Sequence, residues 1–359
     1  MRDADIDPTV PLVLPARAVP LGGPRGMTVH RTLPARHASL VGAWCFVDHF
    51  GPDDLSEGAG MRVARHPHTG LATVSWLFAG ALTHRDSLGS HALVTPGEVD
   101  LMVAGYGISH SEYSTADTTV LHGVQLWYAL PERARHRDRE FLVHRTREQS
   151  TGRARLRVGL GAAHLTDDDG QVLADESPVA TDTALHLAEI TLEAGARVTA
   201  HLREDHEYAV LIDHGPVRLA VDGEPVSTDP VTAEERALAL LPAGTTSVEI
   251  TGTEPDRGVR LLLIGGEPLG EDIVMWWNFV GRSHEEIERH RARYQAEIGA
   301  EDTVELPPLD PATRAAGLPA DAEQFGPFAA DTPPAIPAPA LPHARLRPRG
   351  RGAMAVPTS

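Results

Sequence analysis

Hydrophobic and polar residues alternate in short runs along most of the chain, with Gly, Pro and Asp between the runs. Side chains on a strand alternate faces, so many period-two runs separated by turn residues predict an all-β sandwich or barrel. A first β-rich block spans 27–141. The polar stretch 142–155 reads as a linker, and a second block begins at 156 with strands to about residue 270. Residues 1–26, rich in Pro and Gly, read as an amino-terminal arm. The second unit continues to residue 300 through "GRSHEEIERHRARYQAEI", which has helical spacing. Ser283 followed by Glu286 forms a capping box, in which each side chain satisfies an orphan amide of the first turn. Ile287, Tyr294 and Ile298 share a face, and Glu285 with Arg289 makes an i,i+4 pair. The spacing predicts a helix over 283–298, with Trp276 and Trp277 anchoring it between the two β units. From 306 to 359 Pro and Ala dominate, predicting a tail that is extended, disordered or draped over the surface. The two β blocks also resemble each other: "HPHTGLATVSWLFAGALTHRDSLG" lies over "HLREDHEYAVLIDHGPVRLAVDG" with Gly80 on Gly215. Read as a duplication, this implies two tandem copies of one barrel.

Composition narrows the chemistry. The chain of 359 residues has a formal charge of −18, which disfavours non-specific binding to nucleic acid or anionic lipid. It contains no lysine, which removes Schiff-base, pyridoxal-phosphate and P-loop chemistry. Cys45 is the single cysteine; it forms no internal disulfide and, in "VGAWCFVDHF", reads as a buried inert thiol. No apolar run is long enough to span a bilayer, so a cytoplasmic location is the default expectation. No serine stands at a GxSxG elbow, and "GLGAA" lacks the context of a dinucleotide site.

Two histidine pairs supply candidate chemistry. In "RHPHTG", His66 and His68 are two residues apart and project from the same face of a strand. About forty residues later, in "GYGISHSEYS", His110 and Glu112 repeat that spacing. On neighbouring strands, the two pairs would bring three imidazoles and one carboxylate to an interior point. A divalent metal fits such a set: Fe(II), Mn, Ni, Cu or Zn accept mixed nitrogen and oxygen donors, and open positions favour Fe(II). Spacing alone leaves this balanced against two surface pairs. Val74, Trp76 and Phe78 share the parity of the histidines and would form an apolar cavity wall, with Gln125 facing the same cavity. His84 and Asp86, in "THRDSLG", read as turn residues.

The linked runs "HPHTGLATVSWLFAGALTHRDSLG", "PGEVDLMVAGYGISHSE" and "HGVQLWYALPE" resemble the pirin family of the cupin superfamily. The flanking "VGAWCFVDHFGP" and "GGEPLGEDIVMWWNFVGRSHEEI" fit it too, so the resemblance covers about residues 27–300. It implies two tandem jelly-roll cupin barrels with one metal, usually iron, in the first barrel only. The family's ligand positions fall on His66, His68, His110 and Glu112. Some members have quercetin 2,3-dioxygenase activity; others are iron- and redox-dependent regulators of a protein partner such as a transcription factor or metabolic enzyme. The chain departs from the family pattern at Thr69, Ala72 and Tyr106, where arginine, glutamate and arginine are usual. By parity Ala72 would face the metal, so metal binding is the firmer expectation and flavonol oxidation the weaker. Glu112 would then be the group that takes the substrate's proton, while acting as a ligand. In the second block Arg203 falls at the place of His68, His201 at that of His66, and a guanidinium aimed into the pocket would repel a metal. The second barrel is expected to be structural. Two functions follow as expectations: a metal-dependent dioxygenase acting on a flavonol or similar enol, or a metal-bearing partner protein that senses redox state.

Overall fold

The computed structural model describes residues 9–21, 27–55, 60–225, 235–300, 306–319, 321–328 and 332–350. Two β-barrels stand in tandem, each made of two antiparallel sheets. The first pairs a seven-stranded sheet with the four strands Arg62–His68, Ile108–Ser114, Leu82–Asp86 and His91–Val94. The second pairs another seven-stranded sheet with a six-stranded one.

The two seven-stranded sheets lie back to back, and period two explains how. Along Val259–Gly266, Leu262 and Ile264 enter the core between the barrels, while Leu261 and Leu263 enter the second barrel's own core. Both faces are buried, so this strand reads as the unbroken apolar run "VRLLLIGG". Along Leu71–Ala79, Val74 and Trp76 face the other barrel, whereas Ser75 points inward to hydrogen-bond Glu112 and Gln125. Each fully buried aliphatic or aromatic side chain contributes roughly 1.5–3 kcal/mol. Two buried indoles in this interface are paired: Trp44 Nε1 donates to Gly265 O at 2.9 Å, and Trp76 Nε1 to Glu189 Oε2 at 2.7 Å.

The expected arm and linker are instead drawn into the sheets. Leu12–Leu14 pairs with Leu238–Leu240 of the second barrel, and Arg17–Pro20 pairs with Thr28–Leu33 of the first. The arm therefore straps the barrels together; residues 1–8 and 22–26 lie outside the described residues. Glu140–Arg145 is an edge strand of the first barrel, and Glu148–Ser150 one of the second. Only a short connection remains between them.

The helix runs His284–Glu297, with Ser283 as its cap: Glu286 N donates to Ser283 Oγ at 3.2 Å. The reciprocal bond comes from the amide of Arg282, at 2.8 Å, rather than from Ser283. The expected Glu285–Arg289 pair does not form, because Arg289 pairs with Asp310 and Glu285 with Arg345, both in the tail. Nor does the helix sit between the barrels. Tyr294, Ile287, Trp277 and Phe279 pack together with Phe325 over the first barrel. The tail is draped and anchored: Ile336 N donates to Arg65 O at 2.7 Å, and Arg349 bridges Ile273.

Candidate metal centre

Arg62–His68 pairs antiparallel with Ile108–Ser114, placing His68 opposite Ile108 and His66 opposite His110. A bulge between His110 and Glu112 then shifts the register. Directly after the HPH run the chain turns at Gly70, where φ is +65° and a Cβ would meet Val280 O at 2.2 Å. Only glycine fits there, and this turn carries the chain out of the four-stranded sheet into the seven-stranded one.

The strand pairing brings His66, His68 and His110 together, with one ring nitrogen of each within 4.8 Å of the others. His68 Nε2 and His110 Nε2 are 3.0 Å apart, and the His66 and His110 ring centroids 4.4 Å. All three are buried, at 7%, 0% and 1% exposure. Burial pushes the imidazole of His66 down to about 4 and those of His68 and His110 well below the usual value. The trio is therefore neutral at physiological pH. His66 Nδ1 donates to the carbonyl of Ala64 at 2.9 Å, which leaves its Nε2 lone pair available. Three neutral, buried imidazoles converging without a carboxylate among them fit a cation as their common partner.

A cavity of about 750 Å³ opens on these residues. His66, His68, His110, Glu112, Gln125 and Trp127 line it, with Trp277 and Ile336 entering from the carboxy-terminal segment. Trp127 stacks on Phe46 at a centroid separation of 3.9 Å and meets His68 in a T-shaped contact with centroids 5.0 Å apart. Arg31 lies over the Phe46 ring and is held by Asp48 through bonds of 2.7 Å.

Glu112 lines the same cavity, but its carboxylate groups with His84 and His110 rather than with His66 and His68. Ser75 Oγ lies 3.2 Å from its Oε1 and 2.8 Å from Gln125 Oε1, and its one hydroxyl hydrogen is shared between these two acceptors. Burial raises Glu112 above the usual carboxylate range, opposed by His84 and Ser75. Sequence reasoning placed His84 and Asp86 in a turn. Asp86 does cap that turn, accepting from the amides of Leu88 and Ser90 at 2.9 Å, whereas His84 is buried directly across the ladder from Glu112. The signal was present: His84 and Asp86 repeat the i,i+2 spacing of the other two pairs. Asp100, missed altogether, lies 3.7 Å from His84 Nδ1, and burial lifts its carboxyl to about 7.

The expected wall of Val74, Trp76 and Phe78 is not in the cavity. Val74 and Trp76 join the core between the barrels, and Phe78 packs there against His122 and Arg260. Ala72 also faces that core, so no metal-facing acid is missing at this position. The parity count failed because it was carried across Gly70, where the chain changes sheets. Tyr106 lies off the cavity, its hydroxyl accepting from Arg139 Nε at 3.3 Å, and Thr69 bridges the backbone of Phe279. Cys45 is buried as expected, and burial pushes its thiol up to about 12.

Another histidine–carboxylate group lies between the barrels. Asp213 Oδ1 is 2.6 Å from both His49 Nε2 and His122 Nε2. Here a cation is already supplied, since Arg260 Nε donates to Asp213 Oδ2 at 2.6 Å. Arg260 Nη2 also donates to His122 Nδ1 at 3.2 Å, so the proton of His122 sits on Nε2 and points at Asp213. Burial alone would raise Asp213, but the two imidazoles and Arg260 more than offset it and hold the carboxyl below its usual range. This is a latch between barrels.

In the second barrel Arg203 does not point inward. Its side chain is 67% exposed and pairs with Asp205 at 2.7 Å, and His201 is exposed beside Thr166. The interior is filled instead by apolar residues such as Leu165, Val198, Val210, Leu219 and Ile250.

Residues 26–128 match the Pirin family and residues 187–298 the Pirin C-terminal cupin domain. A Pseudomonas aeruginosa protein described as "Putative quercetin 2,3-dioxygenase" is 36% identical over 301 residues, covering 82% of this chain and 87% of that protein. A pirin-like protein of Caulobacter vibrioides is 34% identical over 311 residues, covering 84% and 96%. The crystal structure of a quercetin 2,3-dioxygenase from Acinetobacter baumannii superposes with a TM-score of 0.75 at 29% identity, covering 94% of this chain and 98% of the other. With two matched barrels, a buried imidazole trio in the first and an apolar second, the chain belongs to the pirin family of bicupin proteins.

Proposed function

We propose that this chain is a metal-dependent dioxygenase of a flavonol or a related enol-bearing aromatic, with iron as its metal. The observation that carries the proposal is the convergence of three neutral imidazoles on an aromatic-walled cavity of about 750 Å³. That volume falls within the range typical of small-molecule sites, about 300–1,000 Å³. His66, His68 and His110 would hold the metal, with Glu112 the carboxylate within reach. A divalent metal there would supply Lewis acidity toward an enol oxygen and, as iron, a path for electrons to dioxygen.

The remaining work falls to this chain's side chains. Trp127, backed by Phe46, offers a flat apolar face to a ring system and excludes water beside it. Gln125, held by Ser75 at 2.8 Å, presents an amide that can orient a substrate hydroxyl or carbonyl. Glu112, its proton affinity raised by burial, would accept the enol proton.

Oxygen uptake by Fe(II)-loaded protein with a panel of flavonols, beside a His66→Ala control, tests the proposal. Uptake well above the control with at least one flavonol is expected. Uptake at the control level across the panel would remove flavonol oxidation. Mn, Ni, Cu and Zn loading in the same assay separates iron from the other metals that suit these donors.

A further inference from the structure

Beneath the imidazole trio lies a second buried layer built from three strands. His84 stands directly opposite Glu112 across the pairing of Leu82–Asp86 with Ile108–Ser114. Its Nε2 is 3.4 Å from Asp86 Oδ2, and its Nδ1 is 3.7 Å from Asp100 Oδ2. A ligand atom of His84 lies within 4.8 Å of those of His110 and Glu112. The ring cannot easily turn away, because it stacks on Phe141 with centroids 4.2 Å apart and planes 17° apart. Its far side meets the His110 ring at 5.2 Å. His84, Asp86, Asp100 and Glu112 are all buried. Three buried carboxyl groups thus surround one imidazole, with Glu112 also lining the cavity.

We infer that His84 is the positioning residue for Glu112, fixing its carboxylate beside His110 at the edge of the metal-binding trio. This rests on the metal reading given above and concerns what sets the orientation of the acid grouped with His110. Asp86 is fixed by two turn amides and Phe141 fixes the ring plane, so His84 is itself held rigidly. Among the described residues the hydrogen bond to Glu112 comes from the Ser75 hydroxyl at 3.2 Å, while a ring nitrogen of His84, whose ion partners are Asp86 and Asp100, lies within 4.8 Å of the carboxylate. Outer partners of this kind typically change metal affinity by about 10–100-fold when removed. Without His84, Glu112 would face Asp86 and Asp100 with no donor between them and would turn away from His110.

Co(II) titration of the full chain, followed by its visible absorption, tests this without an activity assay. Wild-type protein is expected to bind about one equivalent, and His84→Gln and His84→Phe to bind it about 10–100-fold more weakly. The variants should also show altered Co(II) bands, since the coordinating oxygen is lost or displaced. Circular dichroism and a thermal melt check folding, and His84→Gln, which keeps a hydrogen-bonding group, guards against a failure of His84→Phe to fold. A Glu112→Gln/His84→Gln double variant should bind no more weakly than Glu112→Gln alone. Wild-type affinity and spectrum in His84→Gln, or additive losses in the double variant, would overturn the role of His84. Failure of the wild-type chain to bind Co(II) at all would overturn the metal reading, and this inference with it.

Discussion

The two barrels share a topology and differ in what fills them. In the second, the inward positions of both sheets carry apolar side chains, and the interior is a packed core. In the first, apolar clusters occupy the two ends, around Phe50 and Leu121 and around Cys45 and Trp127. The middle is given to His66, His68, His84, Asp100, His110 and Glu112, with a cavity beside them. Burying so many polar groups is costly unless they pair with one another or with an ion. The packing of the second barrel against the first, through their shared apolar core, offsets part of that cost. One barrel supplies stability, and the other can hold a site.

The sharpest way to break this contrast is to remove one imidazole from each barrel. His110→Ala is expected to reduce bound metal from about one equivalent to less than about a tenth, because a two-histidine remainder is a weak site. His201→Ala should leave it unchanged. Elemental analysis of the folded proteins decides. Next in size is the latch. Asp213→Ala leaves Arg260 and two imidazoles without their acceptor, and the loss of one partner in a buried pair costs about 3–5 kcal/mol. Urea unfolding should show the lower midpoint, with the two barrels unfolding in separate transitions.

Leu219→Ala in the second core should cost about 2–4 kcal/mol by leaving a cavity, while metal stoichiometry in the folded fraction stays the same. Acid supplies a smaller effect. Burial holds His186 at about 4, below its unfolded value near 6.5, so the unfolded chain takes up the proton first. Stability is therefore fully present above pH 6.5 and declines by up to about 3 kcal/mol as pH falls toward 4. His186→Phe should flatten that slope. The smallest expectation is an absence of change. With His66 at about 4 and His68 and His110 held well below the usual value by burial, protons compete little for the trio near neutrality. Metal affinity should stay constant from pH 7 to pH 5.

Local pattern made part of this legible. Strand alternation alone places His66 with His68 and His110 with Glu112, and Ser283 with Glu286 marks the helix start. What failed were readings of the cavity wall, the helix pairing and the arm, which depended on how distant segments pack. Val74 and Trp76 were assigned to the cavity because parity was counted through Gly70, where the chain leaves one sheet for another. Arg289 found Asp310 rather than Glu285 because the tail packs on the helix. The arm became strands in both barrels because its partners, Leu238–Leu240 and Thr28–Leu33, complete two separate sheets. His84 was legible in spacing but hidden by a turn that explains only its neighbour Asp86.

Anomalous diffraction from crystals of the metal-loaded chain tests the central claim most directly. A single peak about 2.0–2.2 Å from nitrogen atoms of His66, His68 and His110, with none in the second barrel, is the predicted result. No peak at the trio, or one among His49, His122 and Asp213, would contradict it.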